Sequence, residues 1–547
     1  MPTVAELVGR TLTDLGVRQA FGLIGSGNFD LSNALTAGGA RFVTARHETN
    51  AVMMADAYSR VTGEVGVVTL HPGCGLTNAI TGVTEAAKSR TSLLVLAGDT
   101  AAAAVRSNFR IDQDSLAISV GALADRVFGP ASVVQDICRA HRRASEDRRT
   151  VVASLPMDVQ AAPVPGEYRV PARSPIPRPH PDPATVERVA DVLCSGRRPL
   201  LIGGRGARGQ RSALELLAER TGALLATTAV ARGLFAGNPW SLDVSGGFSS
   251  PGAAELISAA DVVVAFGAAL NMWSTRHGRL LGDSATVVQV DLDVDAIGSH
   301  QPAHIGVIGD AAATATALCA ALDRRSAEPS RQRTPELAER IRAARWAEVP
   351  YDDVSTVEAI DPRTLTVRLD EILPPERSLA VDSGHFMGWP SRYLSVPDEQ
   401  GFIFSQAFQC VGLGLGTAIG LAVARPDRLT IAALGDGGAL MALADLETVA
   451  RLGLRMVVLI YNDQAYGAEV HHFGPDGKPL ELVQFPDTDF AALGRAVGLA
   501  GVTVRAPADL EQVEDWLRRG TQGGLVIDAK VVPTLVADWL EEAFRGH

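Results

Sequence analysis

An aspartate and an asparagine each follow a predicted strand in the last third of the chain. Asp436 comes directly after the apolar run 429–435, and Asn462 ends the next apolar run, with a predicted helix over 439–452 between them. The carboxyl ends of neighbouring parallel strands open onto one crevice, where ligands of open α/β sheets bind. The Asp436 carboxylate, the Asn462 amide oxygen and a main-chain carbonyl near Gln464 would then form an all-oxygen set. Such a set is typical of Mg²⁺ that takes its other ligands from a diphosphate and water.

Glycines surround the aspartate of this motif. Gly435, Gly437 and Gly438 have no Cβ, so the backbone can approach phosphate oxygens closely at the start of the following helix. A Gly-Asp-Gly triplet alone is a common turn. The asparagine at this distance, with a helix between the two, favours a diphosphate and magnesium site.

Three blocks of sequence must position these residues. A chain of 547 residues is long enough for three or four domains at roughly 150 residues each. Eight prolines between 163 and 183 predict an extended linker, and a charged segment over 324–361 predicts a surface helix between domains. We therefore expect domains at 1–162, 184–325 and 356–547.

Each block alternates short β-branched runs with segments of helical period, which is the signature of parallel α/β sheets. We expect buried strands at 63–70 and 92–98, at 199–204, 260–267 and 285–293, and at 378–384, 429–437 and 456–463. The first and third blocks also resemble each other, because a strand ending in Gly98-Asp99 matches one ending in Gly435-Asp436. The predicted fold class is α/β with three parallel-sheet domains, of which the first and third carry a sign of duplication.

The composition excludes several classes of protein. Hydrophobic residues make up 46% and charged residues 20%, which argues against disorder and coiled coil. The net charge of −12 disfavours a nucleic-acid partner, because phosphate neutralisation needs clustered cations. The five cysteines form no C-x-x-C pair and the N-terminus has no signal-peptide core, so we expect a cytoplasmic protein. Residues 401–424 are uncharged, but their five glycines and several polar side chains favour a buried loop and helix over a membrane segment.

A glycine-rich turn at 204–209 raises the alternative of a nicotinamide or flavin oxidoreductase. The turn follows the predicted strand 199–204 and reads G-x-G-x-x-G. Dinucleotide binding also needs an acidic residue about 20 residues further on, at the end of the next strand. The segment 224–233 contains none, so the sequence disfavours NAD.

The motifs together resemble one family over nearly the whole chain: the thiamine diphosphate enzymes of the acetolactate synthase, pyruvate decarboxylase and benzoylformate decarboxylase group. The third block carries the family's GDG…N motif. The first block, with FGLIGSGN at 21–28, RHETNAVMMADAYSRVTG at 46–63 and HPGCGLTNA at 71–79, resembles the pyrimidine-binding domain. The second, with VDLDVDAIG at 290–298 and VIGDA at 307–311, resembles the central domain.

The resemblance implies thiamine diphosphate and Mg²⁺ as cofactors. The family's catalytic glutamate, which binds the cofactor's pyrimidine ring and promotes loss of the thiazolium C2 proton, matches Glu48. The metal-ligand roles match Asp436, Asn462 and the Gln464 carbonyl. A bulky side chain that holds the cofactor bent matches Val411, which is smaller than usual, with Leu413 as a compensating neighbour. The resemblance also implies a homodimer or homotetramer whose active sites lie between subunits.

The family's members share the decarboxylation of a 2-oxo acid and differ in the fate of the acyl unit that remains. Acetolactate synthases transfer the acyl unit to a second carbonyl compound, whereas simple decarboxylases release an aldehyde. We expect the transferase reaction. Aldehyde release is the alternative, because His71 and Ser26 match catalytic and pocket residues of benzoylformate decarboxylase. His71 can act in proton transfer near pH 7 or can cap the turn after it.

Further histidines stand near the matched motifs. His385, His471 and His472 would contact the diphosphate or serve only in packing. A central-domain histidine of the decarboxylases matches Ser274 here, and His277 follows three residues later. FAD in the central domain stays open, since acetolactate synthases carry it there. A non-catalytic regulatory homologue is disfavoured because Glu48, Asp436 and Asn462 are all present.

Overall fold

Three parallel sheets form the framework of the computed structural model, which describes residues 1–166, 168–172, 176–520 and 523–545. Each sheet has six strands and is flanked by helices. The strands of each sheet fall within one of the blocks predicted from the sequence, so the α/β fold class is confirmed.

The first sheet has the strand order β2-β1-β3-β4-β6-β5. Its strands are β1 (Gln19–Gly22), β2 (Arg41–Thr44), β3 (Gly66–Leu70), β4 (Leu93–Asp99), β5 (Leu123–Arg126) and β6 (Thr150–Pro156). Its helices are α1 (Val4–Asp14), α2 (Phe29–Ala37), α3 (Glu48–Thr62), α4 (Cys74–Lys88), α5 (Gln113–Ser119), α6 (Val133–Ser145) and α7 (Met157–Ala161). All residues of β3 are buried, because helices cover both faces of a parallel sheet.

The second sheet has the order β12-β11-β10-β7-β8-β9, which is that of a doubly wound dinucleotide-binding fold. Its strands are β7 (Pro199–Gly203), β8 (Leu224–Thr227), β9 (Ser241–Val244), β10 (Val262–Phe266), β11 (Thr286–Asp291) and β12 (Ile305–Ile308). Its helices are α8 (Pro183–Ser195), α9 (Arg211–Thr221), α10 (Pro251–Ser258), α11 (Met272–Thr275), α12 (Ala311–Arg324) and α13 (Pro335–Ala343).

The third sheet has the order β14-β13-β15-β16-β18-β17. Its strands are β13 (Arg377–Val381), β14 (Phe402–Phe404), β15 (Leu429–Gly435), β16 (Met456–Asn462), β17 (Ala500–Val504) and β18 (Gly524–Lys530). Its helices are α14 (Pro362–Ile372), α15 (Gly388–Tyr393), α16 (Gly414–Ala424), α17 (Asp436–Met441), α18 (Leu446–Arg451), α19 (Gly467–Phe473), α20 (Phe490–Ala496), α21 (Glu511–Arg518) and α22 (Trp539–Phe544). Its strand order repeats that of the first sheet, in agreement with the duplication that the sequence indicated.

The uncharged segment 401–424 packs inside the protein. It forms β14, a loop and α16, and α16 lies against α3 of the first domain, where the backbone of Met54 closely approaches Gly420. A side chain at Gly420 would separate the two helices. Among the described residues, no helix is both long and apolar enough to cross a membrane.

The segment after Asp436 differs from its prediction. The helix predicted over 439–452 is wrong as a single element, because α17 ends at Met441 and a 3-10 turn at Leu443–Asp445 separates it from α18. The proline-rich linker contains no helix or strand in its described part between 164 and 182; Pro175 lies outside the described residues. The exact domain boundaries stay a prediction.

Candidate functional site

Glu48 is the first residue of α3, at the carboxyl-end edge of the first sheet. Its side chain is buried at 7% exposure. Its carboxylate accepts a hydrogen bond from the Asn78 amide nitrogen of α4 at 3.1 Å. The bond fixes one carboxylate oxygen and leaves the second oxygen for a ligand. The arrangement suits a carboxylate that must face a ligand in a defined direction.

His71 follows β3 and pairs with Ser26. Its Nδ1 lies 3.0 Å from the Pro72 carbonyl oxygen, and since a carbonyl only accepts, Nδ1 carries the proton. The Nε2 lone pair then accepts from the Ser26 hydroxyl at 3.4 Å. The Phe109 ring packs edge-on against the imidazole, 4.9 Å between centroids. Both groups predicted from the sequence therefore meet, and they can exchange a proton.

Asp436 begins α17 at the end of β15 and is 6% exposed. The Gly437 N–H donates to its Oδ1 at 2.8 Å. Burial raises the pKa of Asp436, and nearby backbone N–H groups, including those of Gln464 and Ala465, offset part of that rise. A buried carboxylate held by amides without a cationic side chain is a ready ligand for a cation.

The glycines beside Asp436 leave no room for side chains. A Cβ on Gly437 would lie 2.5 Å from the Tyr466 ring, and one on Gly438 would lie 2.5 Å from Asp382 Oδ2. A diphosphate would meet the bare backbone amides at this helix start. The loop therefore fits the group that the sequence predicts.

Asp463 lies close to Asp436, and the amide nitrogen of the neighbouring Asn462 points toward β18. The Asn462 amide nitrogen donates to Asp528 at 2.9 Å and to the Thr488 carbonyl at 3.2 Å. Burial and the charge of Asp436 raise the pKa of Asp463. The Asn462 Oδ1 accepts the Gln464 N–H at 3.3 Å, so the oxygen of this amide faces the turn after β16. The metal-ligand role of Asn462 stays a prediction.

The turn after Asp463 is strained. Gln464 has φ +60, a left-handed conformation that is uncommon for a residue with a side chain. Its carbonyl accepts the Phe485 N–H at 2.7 Å, which occupies one of its two lone pairs. A cavity of about 330 Å³ opens here, lined in part by Asp463, Ala465 and Phe485. In the described part of the chain, no three His, Cys, Asp or Glu side chains form a metal cluster, so a cation here also needs carbonyl, phosphate or water oxygens.

Asp382 contacts both the loop at 411–413 and the glycine loop at 435–438. The sequence analysis did not identify this residue. It is fully buried after β13, and its oxygens accept the Gly412 N–H at 2.9 Å and the Leu413 N–H at 3.1 Å. Burial raises the pKa of Asp382 to about 6, although these amides act against the rise. Val411 therefore lies against Gly438, while the side chain of Leu413 is buried at 1% exposure.

His385 and His471 pack ring against ring, 4.4 Å between centroids. The Ala537 N–H donates to His385 Nε2 at 2.9 Å, so Nδ1 carries the proton and lies on the side of Gly467. Burial, reinforced by His471, lowers the pKa of His385 to about 3. Burial also lowers the pKa of His471, whose Nε2 is buried without a hydrogen-bond partner among the described residues.

The other two histidines contact the C-terminal segment. The His472 ring stacks on Phe544 at 3.9 Å, and His277 Nε2 lies 3.0 Å from the Glu542 carbonyl oxygen. Arg279 forms an ion pair with Glu542 beside that contact. These contacts give His277 and His472 a packing role, and the Ser274 side chain bonds to Asn271 nearby.

The glycine turn at 204–209 packs against another loop of its own domain. The Gly206 N–H donates to the Gly267 carbonyl at 3.1 Å, and a Cβ on Gly206 would lie 2.8 Å from Gly267 Cα. The strand β8 that comes next ends in threonine, in agreement with the lack of an acidic ribose ligand. Close backbone packing therefore accounts for Gly204 and Gly206, and a left-handed φ of +74 accounts for Gly209.

The site residues of the first and third domains bond within their own domains. The side chains of Glu48 and His71 bond to residues of the first domain, and that of Asp436 bonds to residues of the third. Apolar side chains beside both halves are exposed, among them Phe29 at 55%, Phe109 at 46% and Met441 at 56%. Each half offers chemistry that the other lacks.

Family models of thiamine pyrophosphate enzymes match three parts of the chain. The N-terminal TPP binding domain matches 2–118, the central domain matches 186–318, and the C-terminal TPP binding domain matches 382–529. The chain is 30% identical to a probable 2-ketoarginine decarboxylase of Pseudomonas aeruginosa, over 95% of this chain and 92% of that protein. It is 27% identical to a sulfoacetaldehyde acetyltransferase of Rhodobacter capsulatus (99% and 96% covered) and to the acetolactate synthase isozyme 3 large subunit of Escherichia coli (93% and 90%).

Proposed function

Because the chain belongs to the thiamine pyrophosphate enzyme family, we propose that it decarboxylates a 2-oxo acid and protonates the remaining acyl carbon to release an aldehyde. The observation that carries this choice is the pairing of His71 with Ser26 on the same sheet edge as Glu48. Transfer to a carbonyl acceptor, the reaction expected from the sequence, is the second candidate.

The third domain would hold the cofactor's diphosphate and Mg²⁺. Asp436 and Asp463 supply two carboxylates in one buried site, and the Gln464 carbonyl would add an oxygen. The amides around Gly437 and Gly438 would bind phosphate oxygens. We propose Asp463 as a further carboxylate of this site beside Asp436 and Asn462, because the Asn462 amide nitrogen donates to Asp528 while its Oδ1 lies on the side of the Gln464 N–H. The donor set and the glycine loop fit the group.

When bound, thiamine diphosphate supplies the carbon nucleophile and the electron sink for loss of CO₂. Glu48 would hydrogen-bond the cofactor's pyrimidine ring, and Asn78 holds one of its carboxylate oxygens in place. The neutral His385 would donate its Nδ1–H to a ligand on the side of Gly467 without adding a charge to the site. Val411 would lie beneath the cofactor beside Gly438.

His71 and Ser26 would deliver the proton that ends the reaction. The Nε2 of His71 accepts from the Ser26 hydroxyl, so the pair can pass a proton in either direction. A transferase has no need for a proton donor at this carbon. We propose that the pair protonates this carbon; protonation of an acceptor's carbonyl oxygen would instead belong to transfer, and analysis of the products separates the two.

The relatives support the second candidate equally well by name, since an acetyltransferase and an acetolactate synthase are among them. Incubation of the cofactor-loaded protein with a panel of 2-oxo acids, followed by mass spectrometry of the products, separates the two. The panel includes 2-ketoarginine because one relative is named a probable decarboxylase of that compound. Aldehyde as the sole product supports our proposal, and an acyloin or 2-hydroxy-2-alkyl acid contradicts it. No turnover of any 2-oxo acid, with cofactor bound, would contradict both.

We also propose that two chains share each active site, in a homodimer or in a homotetramer of two such dimers. The exposed apolar side chains beside the site residues of the first and third domains support this arrangement. Co-expression of Glu48→Gln with Asp436→Ala tests it, because a mixed dimer would have one doubly damaged site and one intact site. Random pairing makes half the dimers mixed, so about a quarter of the wild-type activity should return. Confirmed mixed dimers without activity would refute shared sites.

For the central domain we propose no FAD. The packing of Gly204 and Gly206 against Gly267 leaves the turn filled by backbone. The visible absorption spectrum of the purified protein tests this, since bound flavin is yellow. We keep a cytoplasmic location as part of the proposal, to be checked by fractionation.

A further inference from the structure

Asp445 of the third domain contacts the start of α3 in the first domain of the same chain. It lies in the 3-10 turn after α17 and is fully buried. Its Oδ1 accepts the Arg46 main-chain N–H at 2.8 Å, and its Oδ2 accepts from the Asn50 side chain at 2.6 Å. Thr448 also donates to Oδ1 at 2.7 Å. These three donors to the Asp445 carboxylate are all neutral groups.

The two residues that Asp445 holds flank Glu48 on both sides. Arg46 stands two residues before Glu48, and Asn50 stands two residues after it. Because α3 begins at Glu48, the helix itself provides few backbone constraints on this first turn. A carboxylate near a helix N-terminus is also electrostatically favourable. Asp445 therefore helps to fix the start of α3 and the orientation of the Glu48 side chain.

Asp445 also lies close in sequence to the proposed metal loop, which is the glycine-rich segment 435–438. Asp445 comes nine positions after Asp436, beyond the short helix α17. The three bonds to the Asp445 carboxylate come from Arg46, Asn50 and Thr448, and not from the glycines of that loop. Asp445 thus acts on the backbone around Glu48 rather than on a ligand.

We propose that Asp445 is a positioning residue for Glu48, which it ties to the helix that follows the metal loop. The proposal rests on the proposed function of Glu48 at the cofactor's pyrimidine ring. A displacement of a reacting group by about 1 Å can lower a rate about 100-fold. Loss of the Asp445 contacts should slow the step that depends on Glu48 and leave diphosphate binding intact.

Asp445→Asn tests the proposal with little change in size. One of its two acceptor oxygens becomes a donor, so Arg46 or Asn50 loses its partner. We expect cofactor C2 proton–deuterium exchange to slow at least ~10-fold, while the Mg²⁺-dependent thermal stabilisation by thiamine diphosphate stays near that of the wild type. An unchanged exchange rate would overturn the proposal. So would a parallel loss of cofactor binding, since Asp445 would then act on the metal loop.

Two further variants separate positioning from general damage. Glu447→Gln removes the neighbouring, more exposed ion pair with Arg46, 2.6 Å long, and should exchange like the wild type. The double variant Asp445→Asn/Asn50→Asp exchanges donor and acceptor across the contact and should restore the rate. Failure of this rescue contradicts the proposal. Should Asp445→Asn not fold, Asn50→Ser removes one of the same bonds, and a wild-type rate for it would contradict the proposal as well.

Mixed dimers give a second, independent test where sites are shared. Asp445→Asn lies in the third domain but would impair the Glu48 of its own chain. It should therefore restore about half the activity of a wild-type dimer when paired with Asp436→Ala, and much less when paired with Glu48→Gln. The reverse pattern overturns the proposal. Wild-type protein that neither binds nor exchanges the cofactor contradicts the proposed function instead, so the two failures are distinguishable.

Discussion

His385 should make the stability of this protein depend on pH in a defined direction. The ring is 8% exposed, and its Nε2 accepts the Ala537 N–H at 2.9 Å. Burial, with a smaller contribution from His471, lowers the pKa of His385 from 6.5 to about 3. The folded protein therefore keeps His385 neutral at any pH above about 4.

The magnitude comes from the linkage between protonation and folding. Below pH 6.5 the unfolded chain binds a proton at His385 that the folded chain does not bind, so stability falls as the pH falls from 6.5 toward 3. Each pH unit in this window is worth about 1.4 kcal/mol, so about 2 kcal/mol is lost between about pH 7.5 and pH 5. His385→Gln keeps an acceptor oxygen near the position of Nε2 and does not titrate. The variant should lack this loss.

Urea unfolding followed by tryptophan fluorescence measures the effect. Trp389 and Trp539 have ring centroids 6.4 and 6.1 Å from that of His385, so the signal reports on this region. The difference in unfolding free energy between wild type and variant should change by about 2 kcal/mol over this pH range. The exposed His300→Gln controls for loss of a histidine elsewhere. Parallel pH profiles for wild type and His385→Gln would refute the reasoning.

Three other predictions concern the cofactor half-sites. Gly438→Ala places a Cβ 2.5 Å from Asp382 Oδ2. Calorimetric titration should therefore show thiamine diphosphate binding weakened by ~10-fold or more. Wild-type affinity would mean that the loop shifts to accept the methyl group without losing the diphosphate site. Asp463→Ala and Asn462→Ala should each raise the Mg²⁺ concentration needed for half-maximal cofactor binding by ~10-fold or more. Asn462→Ala should also lower the melting temperature, because it breaks the bond to Asp528. An unchanged Mg²⁺ requirement for either variant would remove that residue from the metal site. His71→Ala should lower turnover ~100-fold or more with cofactor binding retained, whereas a purely structural His71 would show lost thermal stability and near-normal turnover.

Much of this protein can be predicted from local sequence patterns. Strands at 66–70, 429–435 and 456–462 could be predicted because runs of β-branched and apolar residues are typical of buried parallel strands. The Gly-Asp-Gly triplet predicted a diphosphate loop because glycine lets the backbone come close to phosphate oxygens. These features depend on residues near each other in the chain, and so the sequence is enough to find them.

The partners of the site residues depended on the tertiary structure. The sequence alone did not reveal that the Asn462 amide nitrogen donates to Asp528 or that Asp463 lies beside Asp436, because side-chain contacts at a strand end depend on the elements that pack on each face. Asp382 and Asp445 carry no motif, and each acquires its role only through the loops brought to it by folding. The sequence by itself determined the three α/β domains and the cofactor motif. The tertiary structure decided how Glu48 is held, since the bond from Arg46 to Asp445 joins residues 399 positions apart, a separation at which only folding creates a contact.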